Sequence, residues 1–203
     1  MRMKITAKRV RREGLNLDGR EKMGRILAKR PYPPGVHGPN SRSRMTDYGK
    51  QLREKQRAKL VYGVMERQFR NVFDTATRIK GDTGENLVRL LELRLDNVLF
   101  RAGFAKTRAA ARQLVSHAHV EVNGKKVTIP SYKVSVGDLI AIRALKREKK
   151  NWKLFVEATV KIETPSWMTT DLKALTTKVT SVPSGDELKQ VFDVKPIVEF
   201  YSR

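Results

Sequence analysis

Cysteine is absent from the chain. That removes disulfides, thiolate zinc sites and iron–sulfur clusters from consideration. Histidine is scarce, with only His37, His117 and His119. His117 and His119 stand two apart near the end of a helical stretch, whereas a zinc pair on one helical face favours a four-residue spacing. No uninterrupted apolar run approaches the ~20 residues of a membrane-spanning helix. The opening stretch MRMKITAKRVRREG lacks the apolar core of a secretory signal and the serine enrichment of a transit peptide. The expected compartment is therefore the cytoplasm, with no membrane partner. Aromatic residues make up 7% and hydrophobic residues 39%, enough for modest cores but thin for one large one. A Gly-rich phosphate loop after a strand is missing, as is any Ser/His/Asp arrangement. No catalytic residue, metal, cofactor or small-molecule substrate is expected, and an enzyme built on this chain would need a catalytic domain for which no room is left.

Acidic residues are also in short supply: 21 Asp and Glu face 43 Lys and Arg, a net charge of +22 over 203 residues. A small domain needs a net charge of only ~2–8 for solubility. A surplus of this size repels itself in the compact state and calls for a polyanion. Nucleic acid fits, because Lys and Arg release condensed counterions when they neutralise phosphates. The charge is uneven. Residues 1–60 hold 18 Lys and Arg against 5 Asp and Glu, while residues 154–203 hold 6 against 7. The polyanion-facing surface is expected in the first three-quarters, and the tail is freer to meet protein.

Residues 1–44 read as a basic arm. Arg9, Arg11, Arg12, Lys29 and Arg30 lead into Arg30-Pro31-Tyr32-Pro33-Pro34-Gly35, whose prolines forbid a helix and favour an extended path. Such a segment buries little apolar surface and is expected to become ordered on its partner. From Met45 the pattern turns helical. Thr46 or Asp47 caps a helix through Tyr48, Leu52 and Gln56, ringed by Arg53, Lys55, Arg57 and Lys59. Val61, Met65, Phe69, Val72, Phe73, Ala76 and Ile79 form one buried stripe at helical spacing, stopped by Gly81. Thr83 then caps a helix whose apolar positions are Leu87, Leu90, Leu91, Leu95, Val98, Leu99 and Ala102.

Residues 93–143 are the most legible stretch. Gly103 stands at a left-handed cap position, and after Lys106, Thr107 caps a second helix from Arg108 to His117. Two helices joined by a short Gly-containing turn have the outline of a helix-turn-helix. A hairpin follows: Val120-Glu121-Val122, Asn123-Gly124, Lys125-Lys126-Val127. Asn-Gly between alternating runs is the strongest short hairpin signal. Val134, Val136, Leu139, Ile140 and Ile142 add strand material around Gly137-Asp138. Lys146-Arg147-Glu148-Lys149-Lys150 reads as a solvated basic turn. Thr164 to Met168 reads as a turn anchored by Trp167, and Pro183 to Leu188 as a short helix. The final Ile197-Val198-Glu199-Phe200-Tyr201 is too apolar to hang free and should dock on the chain's own helices or on a neighbour. Asp96, between Arg94 and Arg101, is expected in an ion pair rather than in acid–base chemistry. The fold class is α+β.

Arg94-Leu95-Asp96-Asn97-Val98, Arg101-Ala102-Gly103-Phe104-Ala105, Ala111-Arg112-Gln113-Leu114-Val115-Ser116-His117 and Val122-Asn123-Gly124 resemble the S4-type RNA-binding module. That module also occurs in pseudouridine synthases, tyrosyl-tRNA synthetases and a small heat-shock protein. Arg30 to Gly35, Tyr48 to Gln56, Glu66-Arg67-Gln68-Phe69-Arg70 and Ile197 to Arg203 extend the resemblance to the bacterial S4 family of small-subunit ribosomal proteins. The match runs from about Arg30 to Arg203.

That resemblance implies an inserted module within a helical domain. The boundaries it gives are 1–44 for the basic arm, 45–92 for the helical domain completed by 180–203, and 93–179 for the inserted module, with its core at 93–143. It implies a primary 16S ribosomal RNA-binding protein that clamps a multi-helix junction of the 5′ domain and nucleates 30S assembly. It further implies contact with ribosomal protein S5 and nearby S3, and a place along the channel through which messenger RNA enters, with an effect on translational accuracy. Many members carry four cysteines near the N-terminus that bind zinc. Here those positions are replaced, so the arm is expected to be metal-free. A free RNA chaperone or translational repressor would use the same surface, and an RNA-modifying enzyme stands as a remote alternative.

A-form RNA hides base edges in a deep groove, so shape, phosphate and ribose recognition is expected. Candidate contacts in the module are Lys106, Arg108, Arg112, Gln113, His117, Asn123, Lys125 and Lys126. The helix start at Arg108 offers backbone N–H groups to a phosphate, and Arg112 follows one turn on. In the arm the candidates are Arg9, Arg11, Arg12, Arg30 and Tyr32. A second patch joins Arg42, Arg44, Lys50, Arg53, Lys55 and Arg57, with Arg53 and Arg57 on one helical face. By resemblance, Arg42, Arg44 and Lys50 are candidates for the messenger path.

Overall fold

The computed structural model describes residues 5–17, 19–40, 45–147, 152 and 164–202. The chain divides into two compact units, residues 1–87 with 189–203 and residues 88–188.

In the first unit, α1 (Ala7–Glu13) and α2 (Glu21–Lys29) pack together. The reading of residues 1–44 as an extended arm needs correction here, because helices occupy both basic stretches. The physical reason is a set of isolated apolar positions, Val10, Leu17 and Met23, each of which the fold buries. The prolines act only after Arg30, where the chain turns without helix.

Helix α3 (Asp47–Tyr62) starts at Thr46, whose side-chain oxygen accepts from the Gly49 N–H, and ends at Gly63 in the left-handed region, with φ 63°. A new helix, α4 (Glu66–Arg78), follows. The single stripe expected from Val61 to Ile79 is thus broken, and Met65 and Ile79 are exposed, while Phe69, Phe73 and Ala76 are buried. Lys55 and Lys59, expected on the solvent side of α3, are buried as well. Helix α5 (Thr83–Glu92) is capped by Asp82 rather than Thr83, its carboxylate accepting from the Glu85 N–H at 2.8 Å. The helix expected to continue to Ala102 is interrupted at Leu93 and Arg94, and resumes as α6 (Leu95–Arg101).

The second unit stacks α6 and α7 (Arg108–Ser116) on a sheet. Thr107 caps α7, accepting from the Ala110 N–H at 3.1 Å, and Gly103 takes φ 83° as its sequence position demands. The sheet is antiparallel with five strands: β1 (Val120–Val122), β2 (Lys125–Lys126), β3 (Leu139–Ile142), β4 (Met168–Asp171) and β5 (Thr176–Val179), in the order β2-β1-β3-β5-β4. Asn123 (φ 49°) and Gly124 (φ 74°) make the tight turn of the first hairpin, the pair of positive angles that Asn-Gly accommodates. Val136, expected as strand, is exposed outside it.

Val120, Val122, Ile140, Ile142 and Val179 meet Leu95, Val98, Leu99, Ala111 and Val115 in one core, which Trp152 and Trp167 also enter. Each fully buried aliphatic side chain contributes roughly 1.5–3 kcal/mol. Lys146 and Arg147 end a short helix, α8 (Ala144–Arg147), and the rest of that basic stretch, Glu148 to Lys150, lies outside the described residues. Gly185–Leu188 forms one 3₁₀ turn.

The terminal segment folds as α9 (Lys195–Tyr201) and packs on α3 within the first unit. Tyr48 meets Phe200 with ring centroids 5.6 Å apart, Phe73 meets Tyr201 at 4.6 Å, and Ile197 is fully buried. Docking on the chain's own helices is the outcome of the two expected for this apolar end. No helix among the described residues is long and apolar enough to cross a membrane.

Candidate nucleic-acid interface

Four arginines of the second unit, Arg94, Arg101, Arg108 and Arg112, gather around two buried carboxylates. Glu92 and Asp96 have side chains only 2% and 6% exposed. Arg101 grips Glu92 in a fork, with Nε and Nη2 each donating at 2.9 Å. Asn97 donates its amide to Glu92 Oε2 at 2.6 Å and accepts from Arg108 Nε at 2.6 Å. The Arg108 guanidinium lies over the Phe100 ring at 4.4 Å. Arg94 binds Asp96 through Nε and Nη2 at 3.1 and 2.8 Å, and Arg112 Nη1 stands 3.9 Å from the same carboxylate. Two of the module's candidates, Arg108 and Arg112, are therefore brought into one cluster. Asp96 pairs with Arg94 as expected, but Arg101 turns to Glu92 instead.

The module's other candidates are spread along its surface. Lys106, Gln113 and His117 are exposed, on the turn before α7, on α7 and at its C-terminal cap respectively. Lys125 and Lys126 are exposed on the edge strand β2. Asn123 is exposed but internally bonded: its Nδ2 donates to Asp138 Oδ1 at 2.8 Å and its Oδ1 accepts from the Leu139 N–H at 2.9 Å. It braces the hairpin turn that carries the two lysines.

In the first unit the candidates behave differently. Arg11 donates to the Tyr32 and Pro33 carbonyls at 3.2 and 3.3 Å and sits 4.9 Å over the Tyr32 ring. Arg11 and Tyr32, both candidates for RNA contact, thus meet each other and hold the proline stretch against α1. Arg53 and Arg57 both donate to Glu13 at 2.9 Å, Arg53 also to the Arg12 carbonyl and Arg57 also to Glu54. Their shared helical face clamps α1 onto α3. Lys55 and Lys59 meet Glu66 at 2.9 and 2.6 Å, and Lys55 Nζ lies 4.0 Å from the Phe200 centroid. Arg9, Arg12, Arg30 and Lys50 are exposed, Lys50 beside Asp47 at 2.9 Å. Arg42 and Arg44 lie outside the described residues.

Arg101, partly exposed, escapes a reading by helical spacing, because the helix break at Leu93 and Arg94 separates it from Glu92, its partner. A nine-residue separation crossing that break carries no periodic signal.

A helix pair bearing clustered guanidiniums, followed by a sheet whose edge hairpin carries exposed lysines, defines a basic, RNA-binding α+β protein. Residues 3–92 match the family described as Ribosomal protein S4/S9 N-terminal domain, and residues 93–140 match the S4 domain. The protein called small ribosomal subunit protein uS4 in Roseiflexus castenholzii is 50% identical over 95% of this chain and 94% of its own length. The uS4 of Chloroflexus aurantiacus is 49% identical over 95% and 94%, and that of Borrelia hermsii 44% over 97% and 95%. The chain belongs to the uS4 family of small-subunit ribosomal proteins, a family of structural constituents rather than enzymes. In bacteria such proteins work in the cytoplasm, on the ribosome.

Proposed function

We propose that the protein binds 16S ribosomal RNA as a primary binder, clamps a multi-helix junction of the 5′ domain and nucleates assembly of the 30S subunit. The observation that carries this reading is the arginine cluster of α6 and α7, with the exposed lysines of β2 in the same unit, on a chain of net charge +22. A shape-reading surface of this kind suits A-form RNA and its phosphates. The resemblance supports three functional segments: a basic N-terminal arm over 1–44, a helical domain over 45–92 with 180–203, and an inserted module over 93–179. It also supports a place beside ribosomal proteins S5 and S3, with Arg42, Arg44 and Lys50 along the messenger RNA channel and an influence on accuracy.

The test is a filter-binding titration of the full chain with full-length small-subunit ribosomal RNA, against tRNA competitor. Tight saturable binding that survives the competitor is expected. Replacing the exposed Lys106, Lys125 and Lys126 together by alanine should weaken it with no change in thermal stability. If tRNA displaces the RNA completely, charge alone drives binding and a free RNA chaperone becomes the better description.

A further inference from the structure

The carboxylates beneath the arginines have no part in the RNA-binding reading, yet the structure spends two buried acids on them. Buried ion pairs are weak contributors to stability, since apolar replacements of similar volume often serve as well. Their geometry points elsewhere. Glu92 holds Arg101 by both ends of its fork, each bond 2.9 Å, and reaches Arg108 through the amide of Asn97. The Arg108 guanidinium also lies over the Phe100 ring, at 4.4 Å. Asp96, locked by Arg94, stands 3.9 Å from Arg112. The acids are 2% and 6% exposed, whereas Arg101 and Arg112 keep 29% and 33% of their side-chain surface.

An unrestrained arginine loses rotamer freedom when it meets a phosphate, and that loss subtracts from affinity. Here the loss has been met during folding. We infer that Glu92 and Asp96 are positioning residues for RNA recognition, holding Arg101, Arg108 and Arg112 as a preformed arc for the phosphate oxygens, with Arg101 itself a phosphate contact. This rests on the RNA-binding reading of the same face. Removing a negative charge from this protein therefore weakens its binding to a polyanion.

The experiment compares the full chain with its Glu92→Gln, Asp96→Asn, Arg101→Gln, Arg112→Gln and Glu92→Gln/Arg101→Gln variants, on full-length small-subunit ribosomal RNA and on tRNA. Glu92→Gln should lower affinity for the ribosomal RNA roughly tenfold, although the net charge rises by one, and leave tRNA binding equal or stronger. The double variant should lose less than the sum of the two single losses, because both changes remove the Arg101 arrangement while only Glu92→Gln also loosens Arg108. Parental or improved ribosomal RNA affinity in Glu92→Gln, alongside weakened Arg101→Gln and Arg112→Gln, overturns the positioning role and leaves the RNA-facing surface intact. Parental affinity in all of them overturns both. Should Glu92→Gln fail to fold, nitrogen relaxation of the arginine Nε–H groups in the unaltered protein decides the matter. Arg101 and Arg108 as rigid as the backbone amides support the arc; mobility equal to that of exposed Arg30 overturns it.

Discussion

Glu66 shows how much one partly exposed carboxylate can organise. It accepts from Lys55 at 2.9 Å, Lys59 at 2.6 Å and the Tyr201 hydroxyl at 2.8 Å, joining three helices of the first unit. Burial pushes its pKa up, but the hydrogen bonds from Lys59, Lys55 and Tyr201 outweigh burial and hold it at about 2, below the ordinary 4.5. Burial first, and the Glu66 carboxylate second, push the Tyr201 hydroxyl above its usual range. The folded state therefore binds the Glu66 proton less tightly than the unfolded chain. Its contribution to stability is complete above pH 4.5 and is lost as pH falls toward about 2. The expected outcome is that Glu66→Gln lowers stability near neutral pH and flattens the decline between those limits, measured by chemical denaturation at stepped pH. A variant whose acid limb is as steep as the parent's would mean that other carboxylates carry that decline.

At the scale of elements, caps and breaks decide where the helices lie. Asp82, not Thr83, accepts from the first turn of α5, and Thr107 does the same for α7. Losing such a cap costs about 1 kcal/mol. Asp82→Ala and Thr107→Ala should each lower unfolding free energy by about that much, whereas Thr83→Ala should cost less than either. Equal losses at Asp82 and Thr83 would contradict the assignment. The capping of α7 was legible in the sequence because Thr107 follows a glycine turn and precedes a regular apolar spacing. The cap of α5 was assigned to Thr83 and belongs to Asp82, because both are good cap residues and only the backbone path selects one. The breaks at Gly63 and at Leu93-Arg94 were hidden for a different reason. The apolar spacing runs on through both, and a periodic pattern does not register a change of helix direction.

Across the whole molecule, the charge of +22 acts in two opposite ways. It repels itself in the RNA-free protein and attracts the RNA phosphates. Salt screens both. Raising salt from about 50 to about 500 mM should raise the melting temperature of the free protein while lowering RNA affinity along a straight log–log line. Calorimetry and filter binding over one salt series check this. Melting temperature and affinity moving in the same direction would show that self-repulsion is negligible here.

The amino-acid sequence by itself determined the class of partner, the α+β character, the Asn123-Gly124 hairpin and the internal docking or neighbour contact of the apolar end. Each follows from composition or from short-range spacing, which the linear chain displays directly. Tertiary structure alone decided which basic residues are spent inside the fold. Arg53, Lys55 and Arg57 read as part of a basic patch for RNA, and the folded chain sets them against Glu13, Glu54 and Glu66. In the same way Arg101 found Glu92, and Arg11 found the Tyr32 and Pro33 carbonyls. The reason is physical. A lysine or arginine carries the same charge whether it faces phosphate or carboxylate, and only the folded backbone brings the competing acid within hydrogen-bonding distance.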